Sequence, residues 1–143
     1  MKVVIGRYGK EGDPEDWERK IKVKLNKYDT WNMDYTLALI IEPMLIQLKE
    51  QKHGYPSEMF QLIGVPEGVW EYTDEQHELA SAKWNELLDA MIWSFHEMND
   101  GDYTSRLVEK YGESEWLNHI KEHEARMQEG FELFGKWFRS LWD

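Results

Sequence analysis

Between Asp29 and Pro56 the chain reads DTWNMDYTLALIIEPMLIQLKEQKHGYP. Its apolar positions Met33, Leu37, Ile40, Ile41, Met44, Leu45 and Leu48 recur at three- and four-residue intervals, the spacing of one helix face. A helix over 32–53 is therefore predicted, with that stripe in the core. Leu39 and Ile46 fall roughly opposite it at a turn of about 100° per residue, so a second face of the same helix also needs cover. Asn32 or Asp34 can cap the start, and Gly54 and Pro56 mark the end. Pro43 removes one backbone hydrogen bond from the interior, at a cost of about 3 kcal/mol in an ordinary helix, and predicts a kink beside Glu42.

The flanking segments follow from similar patterns. Residues 2–8 and 20–28 read as two strands, the second alternating Ile21, Val23 and Leu25 with Lys20, Lys22 and Lys24. They predict an antiparallel pair that must pack on the helices or on another copy, since a two-stranded ribbon is marginal alone. Residues 54–72, rich in Gly and Pro yet carrying Met59, Phe60, Leu62, Ile63, Val69 and Trp70, predict an ordered loop lying across the core. Thr73 followed by Gln76 is a capping-box start for a second helix over 73–99, with Ala80, Trp84, Leu87, Leu88, Met91, Phe95 and Met98 as its stripe and Trp93 opposite. A polar connection over 101–113 holds one helical turn, and a last helix spans 114–142, where Gly130 and Gly135 mark a close helix crossing. The expected fold is mainly α: one domain over 1–143, a three-helix core with a kinked first helix sandwiched centrally, and a small N-terminal antiparallel strand pair.

Composition narrows the partners. With 143 residues the chain is long enough for one core without staples. Having no cysteine, it can form neither disulfides nor thiolate metal sites. The formal charge of −11 opposes duplex nucleic acid as a partner. No segment approaches the roughly 20 apolar residues that span a bilayer, and the N-terminus lacks the apolar stretch of a signal peptide. Neither a membrane nor export is expected. Tryptophan rings are common in cores, interfaces and ligand pockets, and the presence of eight favours an interface or a pocket without choosing between them.

Three constellations could carry chemistry. His119 and His123 stand one helical turn apart, as do paired imidazoles on zinc, but HIKEH lacks the glutamate next to the first histidine and a third ligand. A hydrogen-bonded core role suits His123 better. Glu86 and Asp89 form an ExxD pair that looks like that of the all-helical MazG-type pyrophosphohydrolases, where carboxylates hold magnesium. Their companion EExxE motif has no counterpart here, since the first helix offers only Glu42 and Glu50. The third set joins Lys49, Lys52, His53 and Tyr55 at the first helix's exit with Arg126, Lys136 and Trp137 from the last helix and Trp31 ahead of the first. Cations for phosphate and rings for a base suit a nucleotide-sized anion, while dipole compensation alone also accounts for the first cations. No cofactor and no metal site is expected.

The blocks Asp29-Thr30-Trp31-Asn32-Met33-Asp34, Thr36-Leu37-Ala38, Pro43-Met44-Leu45 and Lys52-His53-Gly54, then Met91-Ile92-Trp93 and Leu133-Phe134-Gly135-Lys136, resemble a family of small proteins from tailed bacteriophages. Ala90 departs from the acidic residue expected before Met-Ile-Trp. The resemblance implies a phage protein acting in the cytoplasm of an infected bacterium, and it carries no activity with it. Taken with the residues, it leads to an expected non-enzymatic accessory protein, a homo-oligomer that sequesters a nucleotide-type signal of bacterial defence. The alternatives are an acidic protein-binding module, either a host-protein inhibitor or a virion component, and a magnesium-dependent pyrophosphohydrolase using Glu86 and Asp89.

Overall fold

The computed structural model describes residues 1–5 and 21–142. The fold is mainly α with one small antiparallel sheet, and it comprises two compact units, residues 1–36 and 37–143.

In the first unit, β1 (Lys2–Ile5) pairs with β2 (Ile21–Lys24) so that Val3 opposes Val23, and Lys2 opposes Lys24. The remainder of the two predicted strands' junction, residues 6–20, lies outside the described residues. Alternation sends Val3 and Val23 to one side of the ribbon, and Lys2, Lys22 and Lys24 to the other. After β2 the chain turns, and Asp29 holds the turn: one carboxylate oxygen accepts from the Met1 amino terminus at 3.0 Å and the other from the Asn26 amide at 2.6 Å. The Asn26 bond, and after it the bond from the amino terminus, hold the Asp29 carboxyl below the ordinary carboxylate range. Trp31 stands exposed, edge-on to Tyr28.

Helix α1 (Met33–Gln51) runs without a break through Pro43. Beyond it come α2 (Met59–Leu62), α3 (Asp74–Asp100), α4 (Tyr103–Tyr111), α5 (Trp116–Trp137) and a 3-10 turn (Phe138–Ser140). The predicted capping box is formed, since the Gln76 amide donates to Thr73 Oγ1 at 3.2 Å and the Thr73 amide to Gln76 Oε1 at 2.9 Å. Gly101 ends α3 with φ of 64°, the left-handed conformation glycine adopts without strain. The segment read as a polar connection with one helical turn is a full nine-residue helix, α4. Its Leu107 is buried and Val108 half-buried, a small apolar anchor that the surrounding polar residues conceal.

The core is built on the α3 and α5 pair, with Trp84, Leu88 and Met91 almost wholly buried and α2 supplying Met59 and Phe60. Helix α1 stands further off than α3 and α5 stand from each other. It contributes Ala38 and Leu45 to the core, while Met44 is 65% exposed and Leu37 also faces out. The predicted sandwiching of this helix is thus corrected. On a helical wheel its buried edge is rotated by roughly a quarter turn from the stripe that periodicity marks. Two polar ties account for the rotation: Glu42 accepts from His96 and Asn99 of α3, and Lys49 donates to Asp89 of α3. Leu39, expected to need cover, is 65% exposed within this chain.

Candidate functional site

The rotation of α1 leaves an open space on each of its flanks. On one side, Glu86, Asp89, Trp93 and His96 recur at three- and four-residue steps along one face of α3. Together with Glu42 and Ile46 of α1 and Arg126 of α5 they line a hollow of about 630 Å³. The Arg126 guanidinium lies 3.9 Å over the Trp93 ring. Such stacking holds a cation in place while its in-plane N–H groups stay available. Trp93 also meets the His123 ring at 5.2 Å in a T-shaped contact, and His123 stacks on Tyr103 at 4.9 Å and 12°.

Each carboxylate of this hollow has a partner within the chain. Glu42, largely buried, lies 2.8 Å from His96 Nδ1. Because an ionised carboxylate only accepts, Nδ1 carries the proton, and His96 Nε2 remains available as an acceptor in the neutral ring. Asp89 pairs with Lys49 at 2.5 Å, and Glu86 with Lys83 at 2.8 Å. Both pairs are solvent-exposed, so each is worth at most about 1 kcal/mol and can yield to a ligand.

On the other flank, Met44, Leu45 and Leu48 of α1 face Phe134, Phe138 and Leu141 across an apolar groove of about 650 Å³, with Lys52 at one end. Lys52 Nζ donates to the Lys49 carbonyl at 3.2 Å, completing the exit of α1.

The predicted ligand residues are therefore distributed. Lys49 and Arg126 border the polar hollow, through Asp89 and directly. Lys52 belongs to the apolar groove, and His53 is exposed beyond it. The Tyr55 hydroxyl sits 2.6 Å from His77 Nδ1, and burial raises its pKa above the ordinary phenolic value. Lys136 Nζ lies 5.4 Å over the Trp137 ring. Trp137 itself is 6% exposed and meets Trp84 edge-on at 5.7 Å, which commits its faces to the core. Trp31 belongs to the first unit.

The two histidines of α5 have separate partners. His119 stacks on Tyr111 at 3.7 Å and lies 4.0 Å from Glu122. His123 Nε2 comes within 3.0 Å of the buried Glu97 carboxylate, though off the line of a hydrogen bond. Among the described residues no group of three or more His, Cys, Asp or Glu is arranged to hold a metal. Likewise, no helix among them is long and apolar enough to cross a membrane.

Sequence reasoning passed over Trp93 and His96 as ligand residues. Their signal is the i, i+4, i+7 run from Asp89, which reads as a solvated acidic face until α1 and α5 close over it. Comparison with known proteins found no matching family model, no similar curated protein and no similar solved structure.

Proposed function

We propose that the protein is a non-enzymatic binding protein that takes a small ligand, a flat ring bearing an anionic group, into the hollow at Trp93 and Arg126. The supporting observation is the guanidinium held 3.9 Å over the indole at the rim of that hollow. Arginine supplies a planar fork for phosphate or carboxylate, and the outer face of the guanidinium stacked on the indole offers a flat surface to a base. The hollow's volume falls in the range of about 300–1,000 Å³ usual for ligand sites. Two of its three carboxylates, Asp89 and Glu86, are paired with lysines, so they oppose an anion less than their number implies. A nucleotide-type signal of bacterial defence, withheld by a phage protein that acts as a homo-oligomer in the host cytoplasm, is the concrete form of this reading. Calorimetry against a nucleoside monophosphate and against cyclic di- and trinucleotides is expected to give saturable heat with at least one of them. Arg126→Ala and Trp93→Ala should each remove that heat, and the ligand should be recovered unchanged. Heats equal to dilution across the whole set overturn the proposal.

The pyrophosphohydrolase reading has Glu42 of α1 lining the same hollow as Glu86 and Asp89, although the three are not arranged to hold a metal. It predicts pyrophosphate release from nucleoside triphosphates with magnesium, abolished by Asp89→Asn. Release that persists in that variant removes it.

A further inference from the structure

Periodicity marks Met33, Leu37, Ile40, Ile41, Met44, Leu45 and Leu48 as a stripe to be buried, yet within the chain this stripe borders the open apolar groove. Met44 and, across the groove, Phe138 are both more than 60% exposed. A regular apolar stripe facing such a groove is half of a helix-packing surface.

The charge distribution of the chain indicates what completes it. From Tyr35 to Leu48 the only charged residue is Glu42, which is already bonded to His96 and Asn99. Residues 37–143 as a whole carry 21 acidic against 9 basic residues. Two such bodies repel over most of their surface, which favours a contact on the uncharged strip. The strip also carries opposite charges at its two ends: Asp34 in the first turn of α1, Lys49 in the last, and Lys52 just beyond. A parallel pair would set Asp34 on Asp34, whereas an antiparallel pair sets Asp34 beside Lys52.

We propose that a second copy of this chain covers the stripe, the two α1 helices lying antiparallel about a two-fold axis at Glu42 and Pro43. In that register Ile41 of one protomer meets Met44 of the other, and Leu37 meets Leu48. The contact is isologous, as closed dimers require. A 19-residue helix is about 28 Å long, and a pair of that length falls short of the roughly 800 Å² per partner of a stable interface, so the rim at Phe138 must join it.

This inference rests on the homo-oligomeric reading above, and two measurements separate them. Light scattering on the full chain at micromolar concentration should give twice 17.2 kDa. Met44→Asp should weaken association by about tenfold or more, while Leu79→Asp, at an exposed site on α3, should leave the mass unchanged. Since the chain has no cysteine, a mixture of Leu37→Cys and Leu48→Cys chains can join only through the introduced thiols, and the mixed disulfide should dominate. A dimer in which Leu37→Cys joins only itself overturns the antiparallel pairing and leaves the homo-oligomer standing. A monomer at every concentration overturns both and returns the groove to an apolar helix of a foreign partner, the protein-binding alternative.

Discussion

Gly130 of α5 passes so close to Ser94 of α3 that a Cβ built at 130 would lie 2.0 Å from the Ser94 hydroxyl oxygen and 2.6 Å from the Ala90 carbonyl oxygen. Ser94 is fully buried and donates to that same carbonyl at 3.1 Å, so the serine closes its own helix while the glycine lets α5 approach. At this crossing α5 therefore approaches α3 to within backbone distance, with side chains packing on either side of it.

Gly130→Ala is expected to destabilise the protein by about 2 kcal/mol, because overpacking against a carbonyl outweighs the roughly 1 kcal/mol that alanine gains in helix propensity. Gly135→Ala, where nothing lies within 4 Å of the added carbon, should instead stabilise by up to about 1 kcal/mol. Urea denaturation of the two variants under identical conditions checks both signs.

Glu97 is 6% exposed and carries the ion pair to Arg106, with Asp100 on the same guanidinium and His123 Nε2 at 3.0 Å. Arg106→Leu leaves that buried carboxylate without its main counter-charge. Because Arg106 is itself partly exposed and water can reach its place, the loss should be on the order of 2 kcal/mol, below the range for a fully buried pair. Guanidinium denaturation measures it, and a second substitution, Glu97→Gln, should recover part of it.

These relationships differ in how far the sequence discloses them. The capping box at Thr73, the glycine that ends α3 and the Gly130 crossing are local signals, and each is realised in the fold. The facing of α1 is not local. Periodicity identifies a stripe but not its neighbour, and the side of α1 that turns inward is chosen by Glu42 and Lys49 finding partners on α3, some 40 to 57 residues away in the chain. The same distance hides the hollow: Trp93 and Arg126 lie on separate helices, and only the packing of α5 on α3 stacks one on the other. Trp137 errs in the opposite direction, since an aromatic next to Lys136 fits a base-stacking role until burial against Trp84 commits it to the core.

Asp29 gives the first unit a pH dependence whose sign is fixed. Its folded-state pKa lies below the ordinary value because the Asn26 amide and the amino terminus bond the ionised form. Its contribution is therefore complete above the ordinary carboxylate range and is lost as pH falls through the lowered folded value. Amide exchange of Asn26 should accelerate, after correction for intrinsic rates, as acid titrates Asp29. In Asp29→Asn this acid-linked step should be absent.

Pro43 offers a test of α1 that also bears on its pairing. The proline is exposed and stands inside a continuous helix, where it denies the Leu39 carbonyl its hydrogen-bond donor. Water reaches that side of the helix, which reduces the penalty, and proline also restricts the unfolded chain, by about 0.4–1 kcal/mol. Against an interior propensity difference of about 3 kcal/mol, Pro43→Ala should leave a net gain of about 2 kcal/mol in the isolated chain. Pro43 points roughly 120° away from the stripe proposed to pair, so the gain should not depend on protein concentration even where two α1 helices associate. Denaturation midpoints of the wild type and Pro43→Ala, measured across protein concentration, check this: a constant gain is expected, and a gain that falls with concentration would place the proline in a contact between copies and overturn pairing through the stripe.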